Sequence, residues 1–135
     1  MSHRSELVAE PSVEDDRIGK AVVDAGYRVH RGLGPGLLES VYETCLCHEL
    51  AKHGLSFERQ VALPIEYDGI RLGDGLRLDV LVERRVIVEL KAVEEISRLH
   101  FAQVLTYLRL SDLRLAYLIN FNVRMYRRGI KRIAL

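Results

Sequence analysis

The chain has no tryptophan, two cysteines and three prolines in 135 residues. Cys45 and Cys47 lie two apart on an expected helix, so they point to different sides. That spacing excludes a mutual disulfide and a zinc site and leaves two reduced packing residues. No apolar run approaches the roughly 20 residues needed to cross a bilayer. The segment from Met1 to Glu6 is polar and lacks the apolar stretch of a secretory signal. The expectation is a soluble, cytoplasmic protein with no membrane partner. An excess of either charge is also missing. Twenty Lys and Arg against nineteen Asp and Glu give a net charge of +1, so net charge alone does not mark a polyanion binder.

What is present is ample apolar material. With 48% hydrophobic residues, the chain reads as one domain over 13–135 with a single packed core, preceded by a flexible polar arm over 1–12. Acids at Glu14, Asp15 and Asp16 open a helix whose stripe is Ile18, Val22, Ala25 and Val29. It should stop at Arg31, before Gly32-Leu33-Gly34-Pro35-Gly36. No Gly-Lys-Ser/Thr follows those glycines and no strand precedes them, so they read as a tight inter-helix turn instead of a nucleotide cradle. A second helix runs from about Leu37 to His53, with Gly54 as its stop. Glu39 borders its apolar stripe and needs a partner, either an arginine or a functional site. Tyr42 should pack under Glu39 or donate its hydroxyl to it.

Residues 57–67, 70–72, 76–82 and 86–91 have strand character, with Asp68-Gly69 and Gly73-Asp74-Gly75 as turns. The stretch 76–91 carries the chemistry. A hairpin symmetric about Arg84 pairs Leu81 with Ile87 and Val80 with Val88, and sets Asp79 opposite Glu89. One face then holds Asp79, Leu81, Ile87, Glu89 and Lys91, and the other Leu78, Val80, Val82, Val86, Val88 and Leu90. Carboxylates facing each other across an antiparallel pair repel, and a hard divalent cation such as Mg²⁺ or Mn²⁺ relieves the repulsion. Lys91 could orient a water there. The plainer alternative is a solvated face on which Lys91 merely neutralises Glu89.

A helix from Ser97, its N-cap, to about Leu110 buries Phe101, Val104, Leu105 and Leu108 and gathers His100, Gln103 and Tyr107 on another side. The apolar run 115–121 should enter the sheet beside a parallel neighbour, with that helix as the crossover. The last twelve residues hold Arg124, Arg127, Arg128, Lys131 and Arg132 and no acid, a pattern suited to phosphate contacts or to a solvated tail.

Asp79 on one strand and Glu89-Leu90-Lys91 on the next resemble the signature of the PD-(D/E)xK nuclease superfamily, with Leu78 in the place of its proline. Gly36-Leu37-Leu38-Glu39-Ser40-Val41-Tyr42 resembles the motif of the small GxxExxY proteins of that superfamily. Gln103 to Tyr107 is similar to the Gln-x-x-x-Tyr motif of its RecB-like members. The likeness runs from about Asp16 to Ile133. It implies an α/β, restriction-endonuclease-like αβββαβ core with a mixed central sheet flanked by helices. It also implies a Mg²⁺- or Mn²⁺-dependent nuclease acting on nucleic acid, with DNA expected ahead of RNA. Asp79, Glu89 and the Leu90 carbonyl would hold metal. Lys91 would assist the attacking water, and Glu39, Gln103 and Tyr107 would complete the catalytic set. Lys20, Arg124 and Arg128 would track the nucleic-acid backbone. The rival expectation is a non-catalytic or accessory binding module on a nuclease fold. A homodimer or a larger repair or defence assembly would be its further partner.

Overall fold

The computed structural model describes residues 10–73 and 75–135. The expected arm therefore lies outside the described residues over positions 1–9, as does Asp74 of the glycine turn. From Ser12 onward the chain is tightly specified. The Ser12 hydroxyl accepts from the Asp15 amide while Asp15 accepts from the Ser12 amide, both at 3.0 Å, a reciprocal cap on α1 (Val13–Leu33). The stripe of Ile18, Val22, Ala25 and Val29 is buried as its spacing requires. The helix continues two residues past Arg31, because Gly32 still adopts helical geometry and the break comes at Gly34, with φ of 68°.

Helix α2 (Glu39–Lys52) returns across the same side. Strand β1 (Phe57–Leu63) follows, then a small ribbon of β2 (Glu66–Tyr67) and β3 (Ile70–Arg71). Next come β4 (Leu76–Val82), β5 (Val86–Lys91), α3 (Arg98–Ser111) and β6 (Leu115–Asn120). A short turn of helix, α4 (Tyr126–Gly129), leads into β7 (Ile130–Ala134). The main sheet has the order β1-β4-β5-β6-β7, antiparallel except for the parallel β5–β6 pair. This is the expected mixed α/β sheet flanked by helices, here of five strands, with α3 as the crossover. Beyond the expectation, 70–72 never enters that sheet, since β3 pairs with β2 alone. Pro64 ends β1, as it cannot donate to a ladder, and the Asp68-Gly69 turn closes on the short ribbon.

Both faces of β5 and β6 are covered, which is why their sequences are apolar almost throughout. On one face α1 and α2 pack over Val80, Val82, Val86, Val88, Leu90, Tyr117 and Ile119. On the other, Val104 and Leu108 of α3 cover Leu78, Ile87, Ala116, Leu118 and Ile133. Leu78 thus lies on the opposite side from Val80, contrary to simple alternation. The cause is in the neighbouring strand. The β1–β4 ladder pairs Arg59 with Val80 and Val61 with Leu78 but skips Gln60 and Asp79, and Gln60 has φ of 51°. The register is the same on both sides of this break, so one residue on each strand leaves the ladder, and the left-handed Gln60 re-aims the side chains there. Phe101, expected inside, is exposed, so α3 buries a narrower stripe than its composition implies.

Candidate active site

The hairpin between β4 and β5 has the register its sequence implies. Glu83 and Arg84 both take left-handed φ, the turn closes on Val82 and Val86, and Leu81 and Val80 pair with Ile87 and Val88. The ladder stops one residue before Asp79. There the two carboxylates replace backbone bonding. Asp79 N–H donates to Glu89 Oε2 at 2.8 Å, and Leu90 N–H donates to Asp79 Oδ2 at 2.9 Å. Each side chain is therefore fixed through one oxygen, and the strands separate around the acid pair.

Electrostatics mark this as an unbalanced place. Glu89 is 5% exposed, and burial, followed by the Asp79 charge, pushes its carboxyl up to about 8. Asp79 is also raised, first by burial, with Glu43 and Glu39 adding to the effect and the Leu90 amide and Lys91 opposing it. Lys91 lies close enough to favour both charges, yet among the described residues it forms no ion pair with either. A cation between these two acids would restore the balance.

Glu39 reaches the same end of β5. Its Oε2 accepts from Ala92 N–H at 3.2 Å, immediately after Lys91, and its charge is felt at Asp79. Tyr107 of α3 is half-buried, and its phenol is raised first by burial and then by the Glu89 and Asp79 charges. Gln103, one turn earlier, is exposed on α3. His100 closes the α3 N-cap by accepting from Ser97 N–H at 3.0 Å. The Tyr42 hydroxyl does not meet Glu39. It donates to the Gly34 carbonyl at 2.6 Å and accepts from Leu37 N–H at 3.1 Å, while its ring stacks on Phe121 at 4.6 Å. Tyr42 thereby fixes the glycine turn that precedes Glu39.

Two positions escaped the sequence reading. Glu43, one turn after Glu39, is buried. Its oxygens accept from Arg59 Nε at 2.9 Å and Gln60 Nε2 at 2.8 Å. It grips the break in β1 that faces Asp79. The i, i+4 spacing of Glu39 and Glu43 was the available signal, since it places both acids on one helix face. Asn120 is 2% exposed at the end of β6. It accepts from Val93 N–H and donates to the Val93 carbonyl, so it pins the segment after Lys91.

Lys20 lies apart from Arg124 and Arg128. Lys20 pairs with Asp24 on α1 at 3.1 Å, next to Gly19, which packs on Leu115 and Tyr117 at the start of β6. Lys91 pairs with Asn120 at that strand's other end. Arg124 and Arg128 line a surface cavity of about 510 Å³, and Arg128 also borders one that includes Asn120.

Among the described residues no group of three or more His, Cys, Asp or Glu is placed to hold a metal ion. The donor set is a pair of carboxylates, because Glu43 is committed to Arg59 and Gln60 and Glu39 to Ala92. Two hard oxygen donors suit Mg²⁺, which keeps much of its water and completes its shell with substrate phosphates, and do not suit Zn²⁺. No helix among the described residues is long and apolar enough to cross a membrane. A protein-family model described as the PD-(D/E)XK nuclease superfamily matches residues 16–133. No curated protein and no solved structure matches the chain.

Proposed function

We propose that this chain, which belongs to the PD-(D/E)XK nuclease superfamily, is a metal-dependent nuclease that hydrolyses phosphodiester bonds, with DNA as the expected substrate. The observation that carries this reading is the interlocked pair of Asp79 and Glu89, each fixed through one oxygen and both raised by burial, beside the ammonium of Lys91. Such poised groups cluster where chemistry is done.

Asp79 and Glu89 would hold Mg²⁺ or Mn²⁺, with the Leu90 carbonyl as a further oxygen. Bound there, the ion would supply charge stabilisation to the phosphate and a lower pKa to a water. Lys91 donates hydrogen bonds from Nζ to the attacking water and a phosphate oxygen. Glu39 steadies the exit of β5 through Ala92 N–H. Tyr107 closes the α3 side of the pair, and Gln103, on the same helix one turn earlier, offers an exposed amide to the substrate. Arg124 and Arg128 contact the backbone, and Lys20 adds only long-range attraction from its ion pair with Asp24.

A second reading has one observation in its favour: the described residues hold no ready three-ligand metal cluster. On that reading the fold is an accessory nucleic-acid-binding module. Labelled single- and double-stranded oligonucleotides incubated with Mn²⁺ separate the two. Cleavage by wild type that disappears in Glu89→Gln and Lys91→Ala supports the nuclease. Binding with no cleavage of any substrate supports the module, and cleavage retained by both variants refutes the site.

A further inference from the structure

The net charge of +1 conceals a local excess. Where the end of α1 meets α4, a surface groove of about 380 Å³ is lined by Tyr27, Arg31, Arg124, Met125 and Arg127 over the ring of Tyr126. No carboxylate lines it, and none lines the adjoining cavity that shares Arg124 and Met125 and ends at Arg128. Among the described residues these four arginines make no ion pair. The ion pairs among the described residues engage other arginines and lysines. Here no acid neutralises the guanidinium groups.

An aromatic ring stands among them. Tyr27 is 49% exposed, with the Arg31 guanidinium 5.5 Å from its ring centroid and the Tyr126 ring edge-on at 6.0 Å. A half-exposed tyrosine braced from below offers a flat surface of the sort on which an unpaired base stacks. The groove is anchored, since His30 Nε2 is 2.6 Å from the Val123 carbonyl and the Tyr126 hydroxyl donates to the Val23 carbonyl at 2.9 Å. It also leads toward the end of β6. Arg128 and Val123 border the next cavity, which includes Asn120, the strand partner of Lys91. Glu94 and Glu95 stand on that last cavity, so the excess positive charge lies beyond it, toward Tyr27.

We propose that this surface is a track for a single-stranded segment of nucleic acid, with Arg31, Arg124 and Arg127 on phosphates and one base stacked on Tyr27. It rests on the nuclease reading only in that it names which part of the substrate leaves the acid pair. A duplex keeps its bases stacked inside and could use the arginines but not the ring.

The test is fluorescence anisotropy with a labelled oligothymidylate of about twelve nucleotides in EDTA, where no cleavage competes. Tyr27→Ala should weaken binding by about fivefold or more, Tyr27→Phe should leave it nearly intact, and duplex binding should be insensitive to both. Arg31→Gln and Arg127→Gln should each lower the slope of log affinity against log salt by about 0.7. Tyr27 and Arg31 are exposed, so circular dichroism should report unchanged folding. Equal affinity of wild type and Tyr27→Ala for the single strand would overturn the track. So would equal loss on the duplex, or competition by polyglutamate as effective as by unlabelled strand. The two failures are distinct. Cleavage by a wild type whose single-strand binding ignores Tyr27 and Arg31 refutes the track alone. Tyr27-dependent binding without cleavage refutes the nuclease alone.

Discussion

Replacing Glu89 by glutamine should stabilise the metal-free protein while abolishing its chemistry. Glu89 is buried against Asp79, and its carboxyl is raised from 4.5 in a free chain to about 8. The folded state therefore binds the proton more tightly than the unfolded state. Its contribution is fully present below about pH 4.5 and is lost as pH rises through about 8. At about 1.4 kcal/mol for each tenfold difference in proton affinity, the change across that window is on the order of 4 kcal/mol. Glutamine keeps an oxygen to accept from Asp79 N–H and adds an amide that can donate to the Asp79 carboxylate, with no charge to desolvate. Urea melts in EDTA at pH 5 and pH 8.5 should show wild type losing several kcal/mol between them and Glu89→Gln losing much less. The variant should melt roughly 10 °C above wild type at pH 8.5. Excess Mn²⁺ should close that gap by stabilising wild type alone. Stability curves that run parallel with pH would refute the claim that this acid is held against its own charge.

Three further outcomes follow from named contacts. Glu43→Ala frees the side chains of Arg59 and Gln60 at the ladder break and should lower stability by about 1–3 kcal/mol, with a larger proportional loss of cleavage than of substrate binding, read from melts and steady-state kinetics. Tyr42→Phe removes the hydroxyl between Gly34 and Leu37 and should cost about 1–2 kcal/mol in urea denaturation, with the Phe121 stack preserved. Asn120→Ala removes the acceptor of the Val93 and Asn122 amides and leaves the Val93 carbonyl only the longer bond from Asn122 Nδ2 at 3.4 Å. Hydrogen exchange should then accelerate over residues 92–96 with little change in α1, after a stability loss of about 2 kcal/mol.

Much of this arrangement is legible in the residues. A polar turn at Glu83-Arg84-Arg85 between two β-branched runs sets the hairpin register, and that register brings Asp79 to Glu89. The apolar run from Leu115 declares a strand covered on both faces, which a crossover helix must reach in parallel. Less legible is the ladder break at Gln60, because glutamine gives no local sign of the left-handed conformation that glycine or asparagine would advertise. Alternation therefore misplaces Leu78. Tyr42 and Asn120 spend their polar groups on backbone atoms distant in sequence or in a loop, and such partners cannot be read from helical or strand period. The ribbon of β2 and β3 stands apart because Pro64 breaks a run that otherwise looks continuous.

The most direct test of the acid pair is calorimetric titration of Mn²⁺ at pH 7, repeated in two buffers of different ionisation enthalpy, with a phosphorothioate oligonucleotide present to complete the ion's shell. Wild type should bind the ion and release about one proton, the one that Glu89 holds in its absence, and Asp79→Asn should bind far more weakly. Mn²⁺ binding of equal strength in Asp79→Asn, or binding with no proton released, would contradict the proposal that Asp79 and Glu89 together hold the metal.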